Sequence, residues 1–179
     1  MAKAKRRKKF FDVEIPIIKK ETQLQAYELG ELEGRYINYD LTRILRGKSI
    51  MLQLLVKIVK EKAIAVPRKI RILPYYLRRM VRKGTNNVED SFITDAKDSK
   101  IRIKPFLVTR RKVSRAVRKA LREKLREELV SYCKDKTVEA LFNDIFRNIL
   151  QKEISLKLKK VYPLSLCEIR VLKVEPKKE

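Results

Sequence analysis

IRIKPFLVTRRKVSRAVRKALREKLREEL, residues 101–129, changes its hydrophobic period halfway along. In the first part Ile101 and Ile103 alternate with Arg102 and Lys104, the two-residue period of a strand with one face in a core and two cations on the other. From Thr109 onward Val113, Val117, Leu121, Leu125 and Leu129 recur every fourth residue, with Ala116 and Ala120 beside them. That is the apolar stripe of a helix running to about Tyr132, with Thr109 as candidate N-cap. A strand that feeds directly into a long amphipathic helix predicts an α+β fold.

Working outward toward the N-terminus, Lys97-Asp98-Ser99-Lys100 supplies the turn of a hairpin that ends in the Ile101 strand. Short runs rich in Val, Ile and Tyr recur before it: 35–39, 49–59, 63–66, 69–73 and 88–94. They predict a β-rich body over residues 10–108, barrel-like or curled. Residues 51–61 also suit a short helix, and the β-branched tail favours strand. Pro74 to Gly84 reads as a short inserted helix, with Pro in its first turn and Gly as its stop, placing Arg78, Arg79, Arg82 and Lys83 largely on one side. Toward the C-terminus Thr137 can cap a second amphipathic helix (Val138, Leu141, Phe142, Ile145, Phe146, Ile149). A third runs from about Glu153 to Tyr162 before Pro163. Residues 168–174 alternate as a closing strand, with Ile169 and Val171 on one side and Arg170 and Leu172 on the other. The organisation expected is a flexible basic arm (1–9), one globular domain (10–175; β-rich 10–108, mainly helical 109–162, closing strand 167–174) and a tail (176–179).

The net charge of +24 is localised. Residues 1–9, 68–83 and 100–126 hold six, seven and twelve Lys or Arg against the single acid Glu123, and the other 127 residues carry 21 bases and 21 acids. A local positive field on a neutral body suits a polyanion, because each neutralised phosphate releases condensed counterions. A pI near 10.2 without such a partner would burden the fold with self-repulsion. Nucleic acid is therefore the partner expected. The cations of the long helix are ordered against its dipole: Arg110, Arg111 and Lys112 crowd the expected positive end, while Glu123, Glu127 and Glu128 come later. A docked phosphate explains that order, and Arg115, Arg118, Lys119 and Arg122 would follow a backbone over roughly 10 Å at 1.5 Å per residue. The candidate RNA-binding residues are these seven with Lys5, Arg6, Arg7, Lys8, Lys9, Arg78, Arg79, Arg82, Lys83, Arg102 and Lys104.

Other classes are disfavoured. The chain has no His, the commonest general base and zinc ligand, and its four glycines form no phosphate-cradling loop. No catalytic residue, metal or cofactor is expected. Glu89, Asp90, Asp95 and Asp98 could pair on a divalent cation, but turn acids of a solvated hairpin account for them far better. No apolar run of about 18 residues exists to span a bilayer, and residues 1–9 lack the apolar stretch of a secretory signal, so an intracellular protein is expected. Cys133 and Cys167 lie far apart without metal spacing and read as buried or half-buried thiols.

Lys8-Lys9-Phe10-Phe11-Asp12-Val13 with Pro16, Leu32-Glu33-Gly34-Arg35, Leu77 to Thr85, Arg102-Ile103-Lys104-Pro105 into Val108-Thr109-Arg110-Arg111, Val161-Tyr162-Pro163-Leu164 and Glu168-Ile169-Arg170 occur in an order and spacing that resemble the S3Ae family of small-subunit ribosomal proteins, shared by archaea and eukaryotes. The similarity runs over nearly the whole chain. Without the long acidic tail of eukaryotic members, the chain resembles archaeal ones more. Phe10 stands where relatives tend to have Trp or Tyr, Ser99 where they tend to have Gly, and Ala116-Val117 near the positions of a Ser-Gln pair. The resemblance implies a β-barrel body with C-terminal helices. It also implies a structural role on the platform of the small subunit, beside the 3′ end of its RNA and the messenger exit. The partners implied are small-subunit ribosomal RNA, neighbouring ribosomal proteins and, during initiation, messenger RNA and initiation factors; the location implied is the cytoplasm, ribosome-bound. Two alternatives stand beside this reading, a basic chromatin-type DNA binder and a metal-dependent RNA-processing enzyme.

Overall fold

The computed structural model describes residues 7–45 and 47–176; Lys5 and Arg6 of the expected arm and residues 177–179 of the expected tail lie outside these. The elements are β1 (Lys9–Ile15), β2 (Lys20–Ala26), a 3-10 turn (Leu29–Leu32), β3 (Tyr36–Asp40), β4 (Ile50–Val59), β5 (Lys62–Ile72), α1 (Pro74–Met80), β6 (Asn87–Glu89), β7 (Phe92–Asp95), β8 (Lys100–Thr109), α2 (Arg115–Lys134), α3 (Val138–Phe146), α4 (Ile149–Leu158) and β9 (Leu164–Val174). Nine strands in one mixed sheet with four helices make the fold α+β. The barrel-like closure expected is corrected to an open sheet. Hydrogen bonding runs β2-β1-β5-β9-β8-β6, with β4 on β5, β3 on β4 and β7 on β8, and among the described residues the end strands β2 and β6 are not paired. β5 takes β1 at Ala63 and Ile64 and β9 at Lys69 to Arg71.

The chain groups into two compact units that interleave in sequence, residues 1–39 with 52–68, and residues 40–51 with 69–179. In the first, β1 and β2 form an antiparallel hairpin from Lys9↔Ala26 to Ile15↔Lys20. Lys9, expected in the arm, is thus the first residue of a strand. Leu52, Leu54 and Val56 are fully buried and alternate with half-buried Gln53 and Leu55, a period of two that makes residues 50–59 a strand. The runs 63–66 and 69–73 are one strand, β5, which passes through the buried Pro67. β2, with the sequence KETQLQA, has too few bulky residues to signal a strand on its own and is held by its partner β1.

In the second unit β8 is paired on both sides, with β9 along one flank and with β6 and β7 along the other. The 96–99 turn closes the β7–β8 hairpin, Ala96 N donating to Ser99 O at 3.0 Å. Ile101 and Ile103 are buried, as their alternation requires. The β8–β9 register slips between Lys104↔Val171 and Pro105↔Ile169, leaving Arg170 as the extra residue of a bulge. Pro105 has no N–H to give the ladder, and bulges are where sheets accept proline. The slip shifts the phase of β9 by one, so Ile169, Leu172 and Val174 are all buried and the simple alternation expected for 168–174 does not hold. Behind the strands α2 packs on β6, β7 and α4, and α4 packs on β9 and α3.

Helix boundaries differ from expectation in four places. α2 starts at Arg115 with Ser114 as N-cap, its hydroxyl accepting from Val117 N at 3.4 Å, rather than at Thr109, which ends β8. α1 stops at Met80, because Val81 is extended (φ −84°, ψ 119°); Arg82 and Lys83 follow the helix instead of lying on its side. α4 begins at Ile149, since left-handed Asn148 (φ 58°) lets the chain turn straight out of α3. It ends at Leu158, before Pro163 is reached. Thr137 caps α3 as expected, accepting from Ala140 N at 3.4 Å.

A buried polar cluster joins the 40–51 segment to the helices. Lys48 donates to Glu168 at 2.6 Å and to Asn148 Oδ1 at 2.8 Å, and Gln151 donates to Ile145 O at 3.1 Å and reaches Glu168 at 3.5 Å. Lys48 and Glu168 are each 9% exposed, so either one alone would be a desolvated charge. Lys48→Met should lower stability by about 3 kcal/mol or more in urea denaturation, with part of the loss recovered when Glu168→Leu is added, because removing one buried partner costs more than removing both. The thiols give a second check. Burial pushes Cys133 up to about 12, and burial beside Glu168 pushes Cys167 up to about 12. At pH 8 only about one thiol in ten thousand is then the reactive thiolate, so Ellman's reagent should label the native protein far more slowly than the urea-unfolded chain.

Candidate nucleic-acid interface

Five residues, 110–114, link the end of β8 to the start of α2 and carry Arg110, Arg111 and Lys112. They are exposed and lie outside the helix, so the expected opposition of these three to the α2 dipole is corrected; Arg115 and Arg118 are the cations of its first turn. The linker is nevertheless held rigidly. Thr109 N donates to Asn86 O at 2.9 Å, and Asn86 N donates to Thr109 Oγ1 at 3.0 Å. Thr109 Oγ1 donates to Arg111 O at 2.7 Å, and Val113 N donates to Asn86 Oδ1 at 2.8 Å. Thr109 is fully buried, so the lock is shielded from competing water.

Asn86 also unites two basic blocks. It follows Arg82-Lys83-Gly84-Thr85, a turn in which Thr85 Oγ1 donates to Arg82 O at 2.7 Å and Gly84 takes φ +88°, a conformation an L side chain resists. Arg82 and Lys83 therefore lie within four residues of the point at which the Arg110–Val113 linker is pinned. Among the described residues none of Arg82, Lys83, Arg110, Arg111, Lys112 or Arg115 has a carboxylate within ion-pair distance, and all six are exposed. Asn86 is the residue that sequence reasoning missed. Its only signal is a position just after the Gly84 turn, which says nothing about a partner 23 residues away.

Other candidates have internal duties. Arg102 is bound to Glu175 at 2.7 Å, and β8, which carries Arg102 and Lys104, is flanked by other strands on both sides. The Arg102 guanidinium in turn holds the Glu175 carboxyl below its usual range. Arg122 Nε donates to Glu89 O at 3.3 Å, tying α2 to β6. Lys119 pairs with Glu123 at 3.8 Å along the helix. Arg79 lies over the Tyr75 ring at 5.7 Å, and Arg78 is exposed on α1. Arg118 is half-buried, and its Nε is shielded from solvent with no hydrogen-bond partner among the described residues. Of the arm, Arg7, Lys8 and Lys9 are exposed in the first unit. The acids flagged for a divalent cation are dispersed: Glu89 binds Arg170 at 2.6 Å, Asp90 accepts from Ser91 N at 2.8 Å, and Asp98 accepts from Val138 N at 3.4 Å. No group of three or more His, Cys, Asp or Glu that could hold a metal occurs among the described residues.

A pinned loop of exposed cations beside a second basic turn has the chemistry of phosphate-backbone contact, in which guanidinium forks meet oxygens without reading bases. Charge reversal at Arg111 (Arg111→Glu) and at Arg118 (Arg118→Glu) should each weaken binding to ribosomal RNA fragments and reduce the slope of log K against log salt by about 1. Unchanged affinity and slope in filter-binding titrations would remove this surface from consideration.

The sequence profile of the Ribosomal S3Ae family matches residues 3–178. Small ribosomal subunit protein eS1 of Nanoarchaeum equitans is 24% identical over 182 residues, covering 97% of this chain and 92% of that protein. The eS1 proteins of Methanothermobacter thermautotrophicus and Halorubrum lacusprofundi are 34% and 30% identical over 95 and 101 residues, 52% and 56% of this chain and 49% and 47% of theirs. The first alignment is nearly end to end, and the other two span about half of each relative. With a profile match over almost its entire length, the chain belongs to the Ribosomal S3Ae family.

Proposed function

We propose that this protein is a structural, non-catalytic component of the small ribosomal subunit that holds ribosomal RNA through the Arg82-Lys83 turn and the Arg110–Arg115 linker. The observation that carries the reading is the lock at Asn86 and Thr109. It brings two of the three basic blocks together and fixes their backbone while leaving the cations unneutralised. Pre-fixed cations lose little conformational entropy on meeting phosphate, and self-repulsion among them is relieved only by an anionic partner. Relatives named as small ribosomal subunit proteins supply the RNA. Among the described residues no helix is long and apolar enough to cross a membrane.

The finer placement follows from family resemblance: a seat on the platform near the RNA 3′ end and the messenger exit, with neighbouring ribosomal proteins, messenger RNA and initiation factors as partners, in the cytoplasm and ribosome-bound. Because the contacts go to backbone, RNA shape should govern recognition more than base sequence. Sedimentation of native lysate through sucrose at low magnesium, repeated after a moderate salt wash, tests the assignment, with the protein followed by mass spectrometry. Stoichiometric migration with the small subunit in both runs is expected. Migration at the top of the gradient, or with DNA, overturns the proposal and reopens the chromatin reading.

A further inference from the structure

The outer face of the β1–β2 hairpin carries two aromatic rings that the core does not use. Along β1 the even positions Phe10, Asp12 and Glu14 point away from buried Val13 and Ile15; along β2 buried Ala26 faces inward, and Gln25 and Tyr27 face out. The register sets Phe10 opposite Gln25 and Lys9 opposite Ala26. One step further Lys8 comes beside Tyr27, its ammonium 5.7 Å from the ring centroid. Phe10 and Tyr27 are therefore diagonal neighbours on one face, a relation that places side chains about 7–8 Å apart. Phe10 is 64% exposed and Tyr27 41% exposed.

The surroundings decide what such a face fits. Lys8 is exposed on this face and makes no ion pair among the described residues, while Lys9, opposite Ala26, lies on the other face. Tyr27 is steadied from behind, its N–H donating to Glu31 Oε2 at 3.1 Å, while Arg35 donates to Gln25 O at 3.1 Å and meets Glu31 at 3.8 Å. Carboxylates also stand on the hairpin, where Glu14 faces Glu21 and Asp12 accepts from Gln23 at 3.0 Å. Rings interleaved with cations are the pattern that holds unpaired nucleotides: bases stack on the rings and phosphates meet the cations. A duplex, with its bases already stacked, has no use for the rings.

We propose that Phe10 and Tyr27, flanked by Lys8, form a stacking platform for unpaired RNA bases, so that this chain holds single-stranded RNA with its β1–β2 hairpin in addition to the backbone contacts of the Arg110–Arg115 linker. The inference rests on the RNA-binding reading above. Fluorescence anisotropy with the full chain, titrated into a labelled eight-nucleotide single strand and separately into a blunt-ended RNA duplex, tests it. The double variant Phe10→Leu with Tyr27→Leu should lose about tenfold or more in single-strand affinity and keep its duplex affinity, because stacking acts on unpaired bases alone. Both positions are exposed, so leucine preserves the fold. Equal single-strand affinity for variant and wild type overturns the platform, as does an equal loss on both RNAs. Wild-type binding to the duplex but not to the single strand overturns the platform and leaves the proposed function standing, whereas binding to neither overturns both. In purified small subunits, ultraviolet cross-linking should attach RNA at Phe10 or Tyr27; a neighbouring protein's peptide there would overturn the proposal.

Discussion

The second unit depends on the backbone pairing of β8, which satisfies its polar groups on both flanks and therefore cannot move without breaking two ladders. That constraint sets where Thr109 ends. Because Thr109 is buried and bound to Asn86, the chain must leave the sheet at one point and in one direction, and the cation-bearing linker is presented there. The bulge at Pro105 belongs to the same constraint. Without it, β9 could not bury Ile169 together with Leu172 and Val174, and Arg170 would not be turned out to meet Glu89.

Electrostatics divides the cations into two populations. Arg102, Arg122, Lys124, Arg126, Lys136, Lys157 and Arg170 have carboxylates, a backbone carbonyl or an aromatic face as partners, and they stitch helix to strand or turn to turn. Lys157 and Lys124 converge on Glu128, whose carboxyl is held below its usual range first by Lys157. Most of these pairs are solvent-exposed and contribute little individually. Their effect is to offset those charges, whereas Arg82, Lys83, Arg110, Arg111, Lys112 and Arg115 have no carboxylate within ion-pair distance among the described residues. Net charge alone would not reveal that sorting.

The buried Lys48–Glu168 pair works in the opposite sense. It spans 120 positions and is held in a setting where an unpaired charge is strongly disfavoured, so it specifies one arrangement of the 40–51 segment against α3, α4 and β9. Neither residue is distinguishable in the sequence from the many surface Lys and Glu around it.

What the sequence determined by itself is what local periodicity and composition can carry. The α+β class follows from the change of period between Ile101 and Leu129, the preference for strand at β4 from its β-branched tail, the α3 cap from Thr137, and the expectation of a polyanion partner from three basic blocks on a neutral body. Tertiary structure alone decided the rest, because those features are set by partners distant in sequence. β2 exists because β1 pairs with it; the phase of β9 depends on a proline in another strand; α2 starts at Ser114 because Thr109 is claimed by β8 and Asn86. Which of the many Lys and Arg face outward without a counterion is likewise a matter of who folds next to whom, and no spacing rule along one chain contains that information.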